Sequence, residues 1–151
     1  MDIILDRVPQ CKRGVLFRLL QYSLFEESLT DGNEMHEDAL FDYPWFDAYF
    51  IEAHREAYFI RDAEQKRLLG FAMLREEGGV HSVAEFMVIP EYRRRGVGLR
   101  AAHLCFGMHG GRWTVSPSLG SEPAEHFWRR AIDAYTGGRF DWTDAQFEFE
   151  T

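Results

Sequence analysis

The sequence predicts a mixed α/β (α+β) fold, in which a mostly antiparallel central sheet is flanked by helices in the order βαα-βββ-α-β-α-ββ. Three strand-like runs in the middle of the chain are joined by turns too short for crossover helices, which favours antiparallel pairing. A glycine-rich turn then leads from the third of these strands into an amphipathic helix. With 151 residues and no repeat or linker, the chain is expected to form one domain, 1–151.

The first third of the chain combines one strand with helices. Residues 3–5 are typical of a strand, and Pro9 stands at a helix-start position. The apolar residues that follow recur at helical spacing, and these are Val15, Leu16, Leu19, Leu20 and Leu24. An acidic, aromatic stretch follows from 25 to 50, with a turn signal at 30–33 and a Tyr-Pro break at 43–44. A short helix is expected at 45–53.

The rest of the chain alternates strands with two further helices. Strands are expected at 57–61, 68–74, 80–89, 113–115, 139–142 and 146–149. One helix follows the glycine turn and ends near Gly110, and the other spans 122–135 with Pro123 in its first turn. The last strand, with Phe147 and Phe149, could pair across a homodimer.

The net charge of −8 is concentrated in one segment. Residues 19–54 contain no Lys or Arg but nine acids, which are Glu26, Glu27, Asp31, Glu34, Glu37, Asp38, Asp42, Asp47 and Glu52. Such a field repels nucleic-acid phosphate and attracts cations, so no nucleic-acid partner is expected. An acidic surface that serves only solubility is the alternative interpretation.

Cysteine usage and hydropathy favour a cytoplasmic protein. Cys11 and Cys105 are the only cysteines and show no metal or redox spacing, so both are expected to be free thiols. The N-terminus lacks a signal-peptide pattern, and no apolar run approaches the roughly 18 residues of a membrane span. We therefore expect no membrane partner. The histidines show no metal-ligand spacing, so no metal site is expected either.

The most informative segment runs from Val88 to Gly98, where an apolar strand enters an Arg-x-x-Gly-x-Gly turn that opens a helix. Gly96 and Gly98 let the main chain approach a ligand closely. The N–H groups that follow lie at a helix N-terminus, where unpaired donors and the helix dipole favour an anion. Three arginines add positive charge around the turn: Arg93, Arg94 and Arg95. The turn is therefore a predicted phosphate site.

Two other glycine-rich loops fit this segment less well. A nucleotide P-loop requires Gly-Lys-Ser or Gly-Lys-Thr, which is absent. A dinucleotide fingerprint matches in spacing, because Ala101 occupies the third glycine position. That fingerprint belongs to an early βαβ unit, however, whereas this turn lies two-thirds of the way along the chain, after strands joined by short turns. A nicotinamide-dependent oxidoreductase is thus the less favoured alternative.

In its residue pattern and its position in the chain, the turn resembles the acyl-CoA binding motif of the GNAT superfamily of N-acyltransferases. The resemblance covers the whole chain. The resemblance implies a GNAT-like fold with acetyl-CoA (coenzyme A) as cofactor. It also implies that main-chain amides of 94–99 wrap the pyrophosphate and that the strand at 87–89 points an N–H at the thioester carbonyl. Pantetheine would lie in a gap between this strand and the strand at 113–115. The implied cofactor-binding residues are Met87, Val88, Ile89, Arg93, Arg94, Arg95, Gly96, Val97, Gly98, Leu99, Ser121, Ala124, Phe127 and Trp128.

The helix at 122–135 departs from the family pattern. The family often has Asn-x-x-Ala-x-x-Phe-Tyr here, whereas this sequence has Ser121, Ala124, Phe127 and Trp128 at those positions. The tyrosine is the family's usual proton donor to the CoA thiolate, and an indole N–H cannot act as an acid. We expect Trp128 to pack against the cofactor and expect no dedicated acid, with Tyr135 or Ser121 as alternatives.

Glu85 is the candidate catalytic base, because an ammonium acceptor must lose a proton before it attacks. It lies on the strand before the glycine turn, among apolar neighbours that would raise its pKa. Strict strand alternation, however, would place Glu85 with Val83 and Met87, away from the acceptor. It would then be a structural carboxylate paired with an arginine. His81 is a less favoured candidate.

The acidic segment, residues 19–54, is the candidate binding surface for the acceptor amine. Its carboxylates are interleaved with eight rings, which are Tyr22, Phe25, Phe41, Tyr43, Trp45, Phe46, Tyr49 and Phe50. Carboxylates and aromatic faces together bind alkylammonium groups, although about five of these rings are expected to be ordinary core. The predicted substrate-binding residues are Tyr22, Glu26, Asp42 and Tyr43.

The sequence therefore predicts an acetyl-CoA-dependent N-acetyltransferase. It would acetylate a primary amine of a small cationic molecule or a peptide, by direct attack in a ternary complex. A non-catalytic module that senses acyl-CoA is the alternative, which the missing Asn and Tyr favour.

Overall fold

The computed structural model describes all 151 residues and contains one seven-stranded sheet with the order β1-β2-β3-β4-β5-β7-β6. The strands are β1 (Ile3–Arg7), β2 (Arg55–Asp62), β3 (Leu68–Glu77), β4 (Val80–Val88), β5 (Arg112–Val115), β6 (Phe140–Thr143) and β7 (Gln146–Glu150). The helices are α1 (Arg13–Asp31), α2 (Ala48–Ile51), α3 (Val97–Met108) and α4 (Glu122–Thr136). All neighbouring strands are antiparallel except β4 and β5, which are parallel. The predicted fold class and element order are confirmed.

Two helices in the first third differ in length from the prediction. Helix α1 continues through the first acidic residues to Asp31 and ends at Gly32, whose φ of +80° only glycine adopts readily. Its buried face includes Leu16, Leu20 and Ser23, and the helix continues for seven residues beyond Leu24, the last apolar residue of the predicted pattern. The helix expected at 45–53 is a single turn, α2, because residues 44–47 form turns instead.

Helices cover both faces of the sheet. On one face α1 packs on strand residues that include Phe59, Phe71 and Met73. On the other face α3 and α4 pack around Phe106 and Trp113. Five rings of the acidic segment lie in or against the α1 core, as expected, and these are Phe41, Tyr43, Phe46, Tyr49 and Phe50. The other three are exposed: Tyr22, Phe25 and Trp45.

The terminal strand β7 lies inside the sheet, paired with β5 on one side and β6 on the other. Phe147 and Phe149 are buried in the core that faces α3 and α4. The expectation that this strand pairs across a homodimer is therefore wrong, because both of its edges are used within the chain. None of the helices is both long enough and apolar enough to cross a membrane.

Candidate active site

The sheet opens between β4 and β5. Their pairing covers only four residues of each strand and ends where Val83 meets Val115. Beyond that point β5 has ended, while β4 continues for five more residues to Val88. The edge of β4 from 84 to 88 therefore has no strand beside it, which creates the gap that the sequence comparison implied.

A bulge in β4 decides which way Glu85 faces. Glu85 lies opposite Met73 and Val83 lies opposite Leu74, so Ala84 has no partner on β3. Met73 packs on the α1 side, whereas Leu74 and Val83 pack on the α3 and α4 side. Glu85 thus shares a face with Met87 but not with Val83. The expectation that alternation turns it away from the acidic segment is wrong, because one extra residue reverses the alternation.

The main chain at the end of β4 offers one amide to the gap within the predicted range 87–89. The Ile89 N–H donates to Leu69 O at 2.8 Å and so faces β3. Since main-chain groups alternate along a strand, the Met87 N–H faces β3 as well, and the Val88 N–H faces the gap. Of the three main-chain amides predicted to polarise the thioester carbonyl, only the Val88 N–H is therefore directed into the gap.

The glycine turn presents a run of free amides. The six main-chain N–H groups of residues 94–99 donate to no acceptor within the chain, and the first helical bond comes from the Arg100 N–H to Gly96 O. Arg94 and Gly96 adopt left-handed φ angles of +64° and +79°, which curl the turn into the start of α3. Free amides at a helix N-terminus suit a pyrophosphate, so the residues present fit coenzyme A.

Arg93, the first residue of the motif, does not point toward the free amides of residues 94–99, which together form a nest of amides. The Arg93 Nε donates to Val88 O at 2.7 Å, and its two terminal nitrogens donate to the two oxygens of Glu26 on α1, both at 2.8 Å. Arg94 and Arg95 are exposed. The structure therefore brings Glu26 to the cofactor turn by pairing it with Arg93.

The first turns of α4 lie beside the start of α3. The Ser121 Oγ caps α4 by accepting from the Ala124 N–H at 3.2 Å. Phe127 packs against Gly98, and Trp128 is buried with its ring centroid 5.0 Å from that of Phe86 on β4. Trp128 thus lies next to the gap as a packing residue.

Neither alternative acid identified in the sequence lies free at the gap. Ser121 is engaged as the helix cap, and Tyr135, near the end of α4, packs on His103 and Phe106. The absence of a dedicated acid stays a prediction.

Glu85 forms the centre of an acidic cluster on the α1 side. Burial, followed by the charge of Glu27, raises the pKa of Glu85 to about 8, while hydrogen bonding with Tyr43 opposes the rise. Burial and the charge of Asp31 raise the pKa of Glu27 to about 7. Burial and then the charge of Glu85 raise the pKa of Tyr43 in turn. The predicted base and one predicted acceptor residue, Tyr43, are therefore neighbours.

The Gln21 side chain of α1 holds the main chain of Phe41, two residues before Tyr43. The Gln21 Nε2 donates to Phe41 O at 2.9 Å, and the Phe41 N–H donates to Gln21 Oε1 at 2.8 Å. Tyr43 then borders a surface groove of about 530 Å³ whose other lining residues include Phe17 and Phe46. Gln21 therefore holds in place a segment that contacts both the groove and Glu85.

The other predicted acceptor residues lie apart from this cluster. Tyr22 is 65% exposed on the outer face of α1, and Asp42 is exposed and bonds His36 at 2.8 Å. His81 stacks on His109, with centroids 4.4 Å apart, at the end of β4 remote from the glycine turn.

Sequence reasoning did not single out Glu27 and Gln21. A signal for Glu27 was present, because it continues the inward stripe of α1 one turn beyond Ser23. No sequence signal indicated that Gln21 would bond a residue twenty positions away.

A splayed β4–β5 pair beside a nest of amides at a helix start defines an acyl-CoA acyltransferase architecture. The sequence model described as the acetyltransferase (GNAT) family matches residues 21–131. The chain therefore belongs to the GNAT family, and it is an acetyl-CoA-dependent N-acetyltransferase. No protein of curated function matches the sequence significantly.

Solved structures share this fold at low sequence identity. An acetyltransferase from Thermus thermophilus is similar with a TM-score of 0.70 and 15% identity, over 100% of this chain and 98% of that one. The Escherichia coli protein YhhK, assigned as an N-acetyl transferase and solved with coenzyme A, is similar with a TM-score of 0.66 and 16% identity over 100% of both chains. Spermidine N-acetyltransferase from Vibrio cholerae, solved with CoA and spermine, is similar with a TM-score of 0.64 and 12% identity, over 99% of this chain and 95% of that one.

Proposed function

We propose that this protein acetylates a primary amine of a small cationic molecule or a peptide, by direct attack in a ternary complex with Glu85 as general base. The observation that carries the proposal is the position of Glu85. Its carboxyl lies on the α1 face of β4, three residues before the gap-facing Val88 N–H, and its pKa is raised to about 8. A base with such a pKa is matched to taking a proton from an ammonium group near neutral pH.

Each part of the site has a distinct task in this reaction. Bound acetyl-CoA supplies the thioester carbonyl that the amine attacks. The free amides of 94–99 hold the pyrophosphate, and the Val88 N–H stabilises negative charge on the carbonyl oxygen. Glu85 accepts the proton that the amine releases, the C–N bond forms, the C–S bond of the thioester breaks, and CoA leaves as its thiolate. Phe127 and Trp128 pack against each other and would form the apolar surface that the pantetheine arm contacts.

The charge around Glu85 supports a cationic acceptor. Glu27 and Asp31 both act electrostatically on Glu85, and Lys and Arg are absent from residues 19–54. A second ammonium group on the acceptor would be attracted to these carboxylates. The bound spermine in the structurally similar Vibrio cholerae enzyme supports the same class of acceptor.

Three acceptors of matched chain length test the substrate class: 1,4-diaminobutane, pentylamine and 4-aminobutanoate, whose second ends are positively charged, neutral and negatively charged. Release of free CoA, measured with a thiol reagent, should give the highest kcat/KM for the diamine and the lowest for the amino acid. A lysine-containing peptide extends the panel. If 4-aminobutanoate is used as well as the diamine, the account of the acidic cluster is wrong, and if no amine releases CoA, a sensor is favoured.

Glu85→Gln tests the base. We expect kcat/KM to fall by about 100-fold, the lower range for loss of a general base. The wild-type rate should rise with pH up to about 8, following deprotonation of Glu85, and the variant should lack this limb. CoA affinity should stay unchanged. An unaltered pH profile in the variant would assign the proton transfer to another group.

A further inference from the structure

The contact between Glu26 and Arg93 joins two parts of the site that are far apart in sequence. Glu26 lies on α1, on the acceptor side, while Arg93 opens the cofactor turn. Both terminal nitrogens of the guanidinium bond both oxygens of the carboxylate, at 2.8 Å each. Such a parallel pair of bonds fixes the plane of the guanidinium as well as its position.

The third nitrogen of the same guanidinium reaches the reaction centre. The Arg93 Nε donates to Val88 O at 2.7 Å. The N–H and C=O of one strand residue point to the same side, so this carbonyl lies on the gap side together with the Val88 N–H. The guanidinium therefore holds the residue whose amide faces the thioester carbonyl in the proposed reaction.

We propose that Glu26 is a positioning residue that acts through Arg93, setting the end of β4 and the cofactor turn relative to α1. This inference rests on the proposed function, because the position it controls is that of Val88 and the amides of 94–99. It gives Glu26 a role in ordering the cofactor site, in place of direct contact with the acceptor.

Charge and exposure agree with this role. The hydrogen bond from Arg93 lowers the pKa of Glu26, so the carboxylate is ionised at neutral pH. The pair is partly exposed, with 36% of the Arg93 side chain and 51% of the Glu26 side chain accessible, so either side chain can be changed without opening the core. With all three nitrogens of Arg93 engaged, the pyrophosphate is left to the main-chain amides and to the exposed side chains of Arg94 and Arg95.

Glu26→Gln, Arg93→Gln, Arg93→Lys and the double glutamine variant test the proposal, with Glu64→Gln and Arg130→Gln as exposed charge controls. The measurements are the Kd of coenzyme A by calorimetry, and kcat and the KM of the diamine. We expect each single glutamine variant to weaken CoA binding about fivefold and to lower kcat, with the diamine KM unchanged. The double variant should be no worse than the worse single variant, because both remove one unit.

Arg93→Lys separates geometry from charge. A lysine keeps the positive charge but cannot form the three bonds at once, so it should bind CoA as weakly as Arg93→Gln. Wild-type CoA affinity in Arg93→Lys would overturn the proposal. A raised diamine KM with unchanged CoA affinity in Glu26→Gln would also overturn it, since that result assigns Glu26 to the acceptor.

The two proposals fail in different measurements. CoA affinity does not depend on turnover, so the positioning role is tested even if no amine is acetylated. Failure of the amine panel together with the expected changes in CoA Kd would reject the proposed acceptor chemistry alone.

Discussion

Gly98 of the cofactor turn lies directly against Phe127 of α4, so that a methyl group at residue 98 would stand 2.8 Å from Phe127 Cε1. The second glycine of the motif is therefore required by the packing of α3 on α4, in addition to any approach of the cofactor. A methyl group at Gly96 would make only ordinary contacts with the Arg100 side chain, at 3.6 Å or more, but the φ of +79° at this position favours glycine. Two glycines of one motif are thus present for different physical reasons.

Gly98→Ala should destabilise the protein by about 1–3 kcal/mol, because the Phe127 ring must leave its place between Phe86 and Trp128. Gly107→Ala is the matched control on the same helix, where the added methyl meets only ordinary contacts. That control should stabilise by about 0.5–1 kcal/mol through helix propensity. Urea unfolding measures both. Equal stabilities of the two alanine variants would contradict the packing argument.

The stability of the fold should decrease as pH rises from about 4.5 to about 8 through the contribution of Glu85. Its folded-state pKa lies above the ordinary value of 4.5, so in this window the folded protein binds more protons than the unfolded chain. The stabilising proton is present at low pH and is lost as pH passes the folded pKa. Glu27, with a pKa of about 7, acts in the same direction.

Comparison of wild type with Glu85→Gln isolates this effect from other titrating groups. Relative to wild type, the variant should gain stability as pH is raised from about 5 to about 9. Glu64→Gln, an exposed control, should follow wild type. A constant difference between wild type and Glu85→Gln across this range would show that Glu85 has an ordinary pKa.

Gln21→Ala should lower kcat/KM about tenfold while leaving CoA affinity near wild type. The variant removes both bonds to the Phe41 main chain, so the loop that places Tyr43 beside Glu85 is released. Stability should fall by about 1–2 kcal/mol, measured in the same samples. Gln65→Ala, at an exposed turn, is the control. Full activity in Gln21→Ala would mean that the buried rings and the Arg13–Asp47 ion pair hold the loop without Gln21.

Trp128→Phe should retain kcat within about threefold, because an indole N–H is not an acid and the residue serves as packing. A loss of about 1–2 kcal/mol in stability is expected from the smaller ring in the core. Steady-state kinetics with the diamine measure the first effect and thermal unfolding measures the second. If kcat drops by more than about 100-fold while CoA still binds, the indole takes part in the chemistry.

Sequence patterns predicted the positions of the strands, but they did not predict the face of β4 on which Glu85 lies, because one bulged residue reverses the alternation of side chains. The glycine turn, the three antiparallel strands β2 to β4 and helix α3 could be predicted from the sequence. Each depends on the spacing of apolar residues and on turn residues within a few positions. The facing of Glu85 depends on the bulge at Ala84, which arises from register with β3 and leaves no mark in the alternation of β4 itself. The roles of Glu26 and Gln21 depend on partners 67 and 20 residues away.

The amino-acid sequence by itself determined the class of fold, the order of elements, the nest of amides and the acidic character of one side, because these properties are set by local periodicity, glycine and charge. Tertiary structure alone decided which carboxylates meet. Glu85 joins Tyr43 and Glu27 because a bulge turns it toward α1, and Glu26 joins Arg93 because α1 passes over the end of β4. Contacts between distant segments depend on packing of whole elements, and local spacing carries no information about such packing.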